Sequence, residues 1–231
     1  MTAAAPAAHA TPAVAPARRG LLPWATDIVR RIRRRMWKMR MRSALGGHRV
    51  CFVASNCVGS RLASMADLPY NSPTVDLYIT PDDFLAFASR FEAYRGLRFV
   101  ADPEESANYD FPVVTIGGGE APVIRLYLMH YHSIEEAQAV WDRRFARLKA
   151  EDVALVMTDK LGATEEHLRA FDALPYPKIV FTHRPHDDIE SACYVPGYED
   201  EGEVGDLFSE WHALLTPLTN ARLRRMFAPW K

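Results

Sequence analysis

The chain has 231 residues, 48% hydrophobic and 25% charged, a composition ordinary for a soluble globular protein and long enough to bury a full core. Three cysteines, at 51, 57 and 193, cannot all pair within one chain and match no zinc or redox spacing, so a reducing cytoplasm is the expected compartment. No window approaches the roughly 18 uninterrupted apolar residues of a spanning helix. The formal net charge of −1 hides an asymmetry: residues 18–49 carry eleven Lys/Arg and one acid, Asp27. An acidic body with a basic arm points the arm at something anionic.

Residues 1–17 are rich in Ala and Pro, lack the basic start of a secretory signal, and read as a disordered tail. Residues 18–46 read as a basic amphipathic arm. Between Trp24 and Leu45, Ile28, Val29, Ile32, Met36 and Met39 recur at spacings of three and four, so a helix gathers them on one side. Trp24 and Trp37 sit near that stripe, and arginines cover most of the remainder. An anionic membrane surface fits this pattern, which places the protein on the inner face of the cell membrane as a peripheral protein. Two other readings are open: nucleic-acid binding, for which no recognised motif accompanies the charge, and packing of the helix on its own domain. No nucleic-acid partner is expected.

The α/β domain is expected over residues 47–231. Val50–Ala54 is a short apolar run that stops at Ser55-Asn56-Cys57 and reads as a first strand, with a short helix over Gly59–Met65. Val75–Ile79 reads as a second strand. Thr80-Pro81-Asp82-Asp83 starts a helix, with a hydroxyl cap, Pro in the first turn and two acids; Phe84, Phe87, Phe91 and Tyr94 form its apolar face. Leu97–Ala101, Phe111–Thr115 and Val123–Leu128 read as strands, the last two joined at Gly117-Gly118-Gly119 as a hairpin. Ser133 and Glu136 form a capping box for a helix reaching about Ala150. Asp152–Met157 is a buried strand, Thr164–Leu174 a helix, Lys178–Phe181 a strand. Residues 183–204 read as a long loop, and Gly205–Phe227 as helical with a break at Pro217. The alternation predicts an α/β fold: a mostly parallel, three-layer, Rossmann-like sheet with one hairpin insertion, covered on both faces.

In such a sheet the carboxyl ends of the strands converge on one rim, where open α/β folds keep their chemistry. The polar groups at expected strand ends are Ser55-Asn56-Cys57, Ser72-Pro73-Thr74, His130-Tyr131-His132, Thr158-Asp159-Lys160 and Thr182-His183. The helix after Cys57 offers free N–H groups and partial positive charge, which would favour a thiolate. Cys57 is thus a candidate nucleophile, Asn56 and the following N–H groups an oxyanion site, and His130 a general base. A tight turn with an inert cysteine fits the same residues. Asp159 could orient a histidine or hold a substrate hydroxyl. His130 and His132 lack a third ligand at a suitable spacing, so no metal is expected. Arg143, Arg144 and Arg147 follow on the next helix beside Trp141, where a solvated basic face competes with an anion site.

The ordered combination of Ser55-Asn56-Cys57, Leu68 to Thr74, Asp83-Phe84, His130-Tyr131 and Glu136-Ala137 through Trp141, Arg144 and Arg147 resembles a bacterial family. It is domain-of-unknown-function family 1919, often encoded among capsule and exopolysaccharide genes; the likeness runs from about residue 48 to 183. The family usually has Ser-Asn-Asn-Cys-Trp-Gly, where this chain has one Asn fewer and Val58 in place of Trp. The first motif is also similar, over some eight residues, to the Gly-Asn-Cys-Gln opening of polysaccharide acetyltransferase-like proteins thought to bind coenzyme A. These resemblances imply modification of a sugar or polysaccharide precursor, foremost by acyl transfer from a coenzyme A thioester. In that reading Cys57 is the nucleophile or the thioester-facing group, with Asn56 and His130 completing the catalytic set. Ser55, Ser72, Thr74, Tyr131, Trp141, Arg144 and Asp159 bind substrate. A glycosyltransferase, with Asp76 or Asp159 on a metal-nucleotide, and a noncatalytic assembly or regulatory protein held by the basic arm are the alternatives.

Overall fold

The computed structural model describes residues 23–228. The Ala/Pro-rich tail expected over residues 1–17 and the first residues of the arm lie outside them. Helix α1 (Pro23–Leu45) leads through two glycines into β1 (Cys51–Ala54), and α2 (Val58–Ala66) follows at once. Then come α3 (Pro81–Ser89), β2 (Val100–Ala101), the single turn α4 (Pro103–Ser106), β3 (Val113–Gly118) and β4 (Ala121–Tyr127). Helix α5 (Ile134–Phe145), β5 (Val153–Thr158), α6 (Glu165–Asp172), β6 (Lys178–Thr182), β7 (Ala192–Tyr194) and α7 (Asn220–Met226) complete the order.

The strands form two sheets. A parallel sheet has the order β1-β5-β6-β7, with Ala54 opposite Val156 and Thr158 opposite Phe181. An antiparallel sheet has the order β2-β3-β4, so the hairpin expected around Gly117–Gly119 belongs to a sheet of its own. At that hairpin Gly117 has φ of 156° and lies so close to Val123 that a Cβ would meet its backbone at 2.5 Å. A side chain there would force the two strands apart.

Both faces of the parallel sheet are covered, as the near-continuous apolar runs of β1, β5 and β6 demand. Val53, Leu155, Met157 and Val180 point into one core with α3, α5, α6 and the inner face of β4. Phe52, Ala54, Ala154, Val156 and Phe181 point into the other, against α1, α2 and α7. The alternation along each strand assigns each residue to its side.

Four local expectations are corrected. Val75–Ile79 is not a strand: Asp76 has φ of 71°, and the segment only touches the sheets, Tyr78 exchanging hydrogen bonds with Tyr127 and the Ile79 N–H donating to the Ser55 carbonyl at 2.9 Å. It straps the open edge of β1 to β4. Residues 183–204 are not all loop, since Ala192–Tyr194 pairs with β6; three residues are too few for periodicity to show. The last region is a turn, a 3₁₀ segment over Trp211–Leu215 and α7, rather than one broken helix. Its second part starts where Thr219 accepts from the Arg222 N–H at 3.2 Å, two residues past Pro217.

The fourth correction concerns the arm. The packing does not break at residue 46/47: Trp37, Met41, Ala44 and Leu45 are buried in the same core as α2 and α7. Lys38 pairs with Asp67, Arg42 reaches the same carboxylate at 4.0 Å, and Arg34 donates to the Ser64 carbonyl at 3.4 Å. The C-terminal half of α1 is therefore part of the α/β domain. The stripe of Ile28, Val29, Ile32, Met36 and Met39 is a different face of the same helix, and it is exposed.

Candidate functional site at the sheet rim

Three strands of the parallel sheet end in polar residues. After β1 come Ser55, Asn56 and Cys57; Thr158 closes β5 and precedes Asp159; Thr182 closes β6 and precedes His183. The strongest contact is between the second and third. Asp159 is buried, and its Oδ2 accepts both the His183 backbone N–H and the Nδ1–H, each at 2.6 Å, while Oδ1 accepts the Val204 N–H at 2.8 Å. The carboxylate thereby sets the ring orientation and leaves Nε2 without a partner among the described residues. A carboxylate on Nδ1 that frees Nε2 is the arrangement of an oriented general base.

Asn56 has a structural role. Its Nδ2 donates to Thr158 Oγ1 at 2.7 Å and its Oδ1 accepts the Val58 N–H at 3.1 Å, so it ties β1 to β5 and supplies the first acceptor of α2. These bonds make Asn56 a structural residue on which the positioning of Cys57 depends. Cys57 sits half-buried at the start of α2, where the helix dipole favours a thiolate. Burial outweighs that: desolvation first, then the negative charges of Asp76 and Asp206, push the thiol up to about 11. Cys51 and Cys193, deeper in the two cores, are pushed to about 12. Cys57 is thereby biased toward the neutral thiol at physiological pH. Iodoacetamide should therefore label native Cys57 slowly at pH 8 and faster toward pH 11. Removing a neighbouring charge, as in Asp206→Asn, should lower its pKa and speed labelling, followed by timed quenching and peptide mapping. A Cys57 that reacts at pH 7 as fast as a free thiol would show that the helix terminus wins after all.

The remaining expected site residues are dispersed. Ser55 is buried at the end of β1, its N–H donating to the Val156 carbonyl. Ser72 and Thr74 are buried beside β1: Thr74 Oγ1 accepts the Ala54 N–H at 2.9 Å, and the Ser72 hydroxyl lies 3.1 Å from Thr74 Oγ1. They satisfy a sheet edge, buried at 2% and 1% exposure. Trp141 is 1% exposed, packed among Phe87, Phe99 and Phe145, and is core rather than a sugar platform. Arg144 and Tyr131 form a clamp. The guanidinium donates to the Val75 carbonyl at 3.0 Å and to the Tyr131 hydroxyl at 2.9 Å, and pairs with Asp76 at 3.2 Å, while Tyr131 itself donates to Val75. That clamp holds the strap against α5 rather than a substrate.

His130 is exposed on the turn after β4, with its backbone N–H donating to the Asp76 carbonyl at 3.3 Å. Its strand lies in the antiparallel sheet, so the shared-rim argument that paired it with Cys57 does not apply. The histidine that the parallel sheet does bring to the rim is His183. Two strand spacings, roughly 10 Å, separate the ends of β1 and β6. The segment after β7 closes this end. Glu203 accepts the Leu161 N–H at 2.9 Å and pairs with Lys160 at 3.6 Å. Arg61, on α2, lies 4.0 Å over the Phe208 ring, and its buried Nε has no partner. The sequence offered no sign of Arg61 as a site residue, because only the folded-back segment brings Phe208 to it.

A cavity of about 220 Å³ lies at the opposite end of the sheet, between the starts of β6 and β7 and helix α7, with Lys178, Ser191 and Arg222 in its wall. None of the rim residues lines it.

The model of the family described as Domain of unknown function (DUF1919) matches residues 28–220, which spans α1 from its exposed stripe to the start of α7. The chain belongs to this family. An uncharacterized protein of Haemophilus influenzae is 37% identical over 165 residues, 69% of this chain and 75% of that protein. The family match takes in most of α1, whose Trp37 and Met41 are buried in the core.

Proposed function

We propose that the chain is a transferase of surface-polysaccharide biosynthesis that moves an acyl group from a coenzyme A thioester to a sugar hydroxyl, with His183 as general base. The observation that carries this is the Asp159–His183 pair, at the carboxyl end of a parallel sheet and two strands from Cys57. The polysaccharide setting rests on the family resemblance. Nε2 of His183 takes the hydroxyl proton as the oxygen bonds to the thioester carbonyl carbon. The C–S bond then breaks, and the leaving sulfur receives that proton from the imidazolium. Direct transfer fits a Cys57 thiol held neutral, since a covalent acyl-cysteine needs the thiolate. Cys57 then faces the thioester. Asp159 has both oxygens committed to N–H donors, which argues against the metal-nucleotide role of the glycosyltransferase alternative.

The test is a release assay with the purified protein. A panel of acyl-coenzyme A donors and nucleotide-sugar acceptors is screened for free thiol, and acceptors are weighed by mass spectrometry for one added acyl group. Thiol release that depends on acceptor, in wild type but not in His183→Gln, supports the reading. A panel without turnover, together with normal polymer in cells carrying His183→Gln, replaces it with a noncatalytic assembly protein.

A further inference from the structure

The two faces of α1 do different work. With about 100° per residue, Trp37, Met41, Ala44 and Leu45 fall on one side of the helix and enter the core. On the opposite side Ile28, Val29, Ile32, Met36 and Met39 share an arc of about 100°, and each is 43–56% exposed. The basic residues divide in the same way. Arg34, Lys38 and Arg42 reach Ser64 and Asp67 and tie the helix down. Arg31 and Arg35 border the stripe on one side, Arg33 and Arg40 on the other, and none of these four has an ion-pair partner among the described residues. A depression of about 230 Å³ continues the stripe toward α7, with Met36 and Met39 in one wall and Arg40 and Arg224 beside them.

From this we infer that the outer face of α1, with Arg224 of α7, is a docking surface for an anionic phospholipid bilayer, the helix lying in the interface plane. An apolar stripe fringed on both sides by free guanidinium groups matches acyl chains below and phosphates at either edge. A protein partner with the same reach would need an acidic fringe around an apolar groove; the bilayer supplies that chemistry without a specific fit. No helix among the described residues is long and apolar enough to cross a membrane, so the contact is lateral. Trp37, facing inward, keeps the helix fixed to the domain while the stripe is engaged. The inference is independent of the chemistry at His183.

Co-sedimentation of the full-length protein with vesicles tests it. Vesicles of phosphatidylcholine with roughly a third phosphatidylglycerol should bind the protein at low salt, and pure phosphatidylcholine far less. At about 0.5 M salt, binding should fall by at least about tenfold yet stay measurable, because the apolar part is not screened. The triple variant Ile32→Gln/Met36→Gln/Met39→Gln should lose at least about tenfold at both salt concentrations with its unfolding midpoint unchanged, these residues being outside the core. Arg35→Gln/Arg40→Gln should weaken binding chiefly at low salt. Wild-type protein that stays in the supernatant with anionic vesicles at low salt overturns the inference, as does a triple variant that binds as well as wild type. A concentration-dependent dimer, lost in the triple variant and without vesicle binding, would give the face to a second copy of the chain instead.

Discussion

Substituting His183 by glutamine is expected to lower acyl transfer by about 10²–10⁴-fold while the protein stays folded. Glutamine keeps a polar side chain at a position that is only 14% exposed and can donate to Asp159, but it has no group that accepts and returns a proton. The loss should fall on kcat rather than KM, since the base acts on the reacting hydroxyl in the transition state. His130→Gln, on the exposed turn, should change the rate by less than about twofold, well short of a general base's contribution. If the two variants behave the other way round, the base is His130 and the Asp159–His183 pair is structural. Asp159 does two jobs, and its variants separate them. Asp159→Asn keeps the size and one acceptor oxygen, and should leave most of the stability but part of the rate. Asp159→Ala strands the His183 and Val204 N–H groups in a buried setting and should cost about 2–5 kcal/mol in urea unfolding.

Deleting residues 1–46 is expected to unfold the protein rather than trim an appendage. Trp37 and Met41 are each 1% exposed, and with Ala44 and Leu45 they close the core between α2 and α7. Trp37→Ala alone should destabilise by about 3–5 kcal/mol, the usual cost of emptying a buried aromatic site. Against a typical total of about 5–15 kcal/mol, losing all four side chains and the helix leaves little margin. Ile32→Gln, one turn away on the exposed face, should stay within about 0.5 kcal/mol. Guanidinium unfolding of the two point variants, monitored by far-ultraviolet circular dichroism, compares them directly. Equal stability of Trp37→Ala and wild type would return the whole helix to the status of a free arm. The buried Trp37 indole N–H has no partner, so Trp37→Phe should cost much less than alanine.

Much of this protein was determined by local sequence. The apolar runs at β1, β5 and β6 end in polar residues, and period and punctuation are enough to place such strands and their rim. The caps at Ser133 and Thr164 mark helix starts because the first turn's N–H groups need acceptors nearby in sequence, and Pro81 with two acids marks the start after Thr80. Periodicity also found that α1 has an apolar stripe. It could not say which of the helix's two apolar sides meets the domain, because amphipathicity records that a face is apolar and not what covers it; Trp37 and Met41 entered the core through packing against α2 and α7. The same limit governed the site. His130 and His183 both follow apolar runs, and only strand pairing decides which run joins the parallel sheet: β4 pairs with β3, β6 with β5. Asp159 meets a histidine 24 residues on because adjacent parallel strands bring their ends side by side. Ionisation was decided by tertiary burial as well. The helix start that would favour a thiolate at Cys57 is local, whereas the desolvation and the charges of Asp76 and Asp206 that oppose it arrive from distant segments.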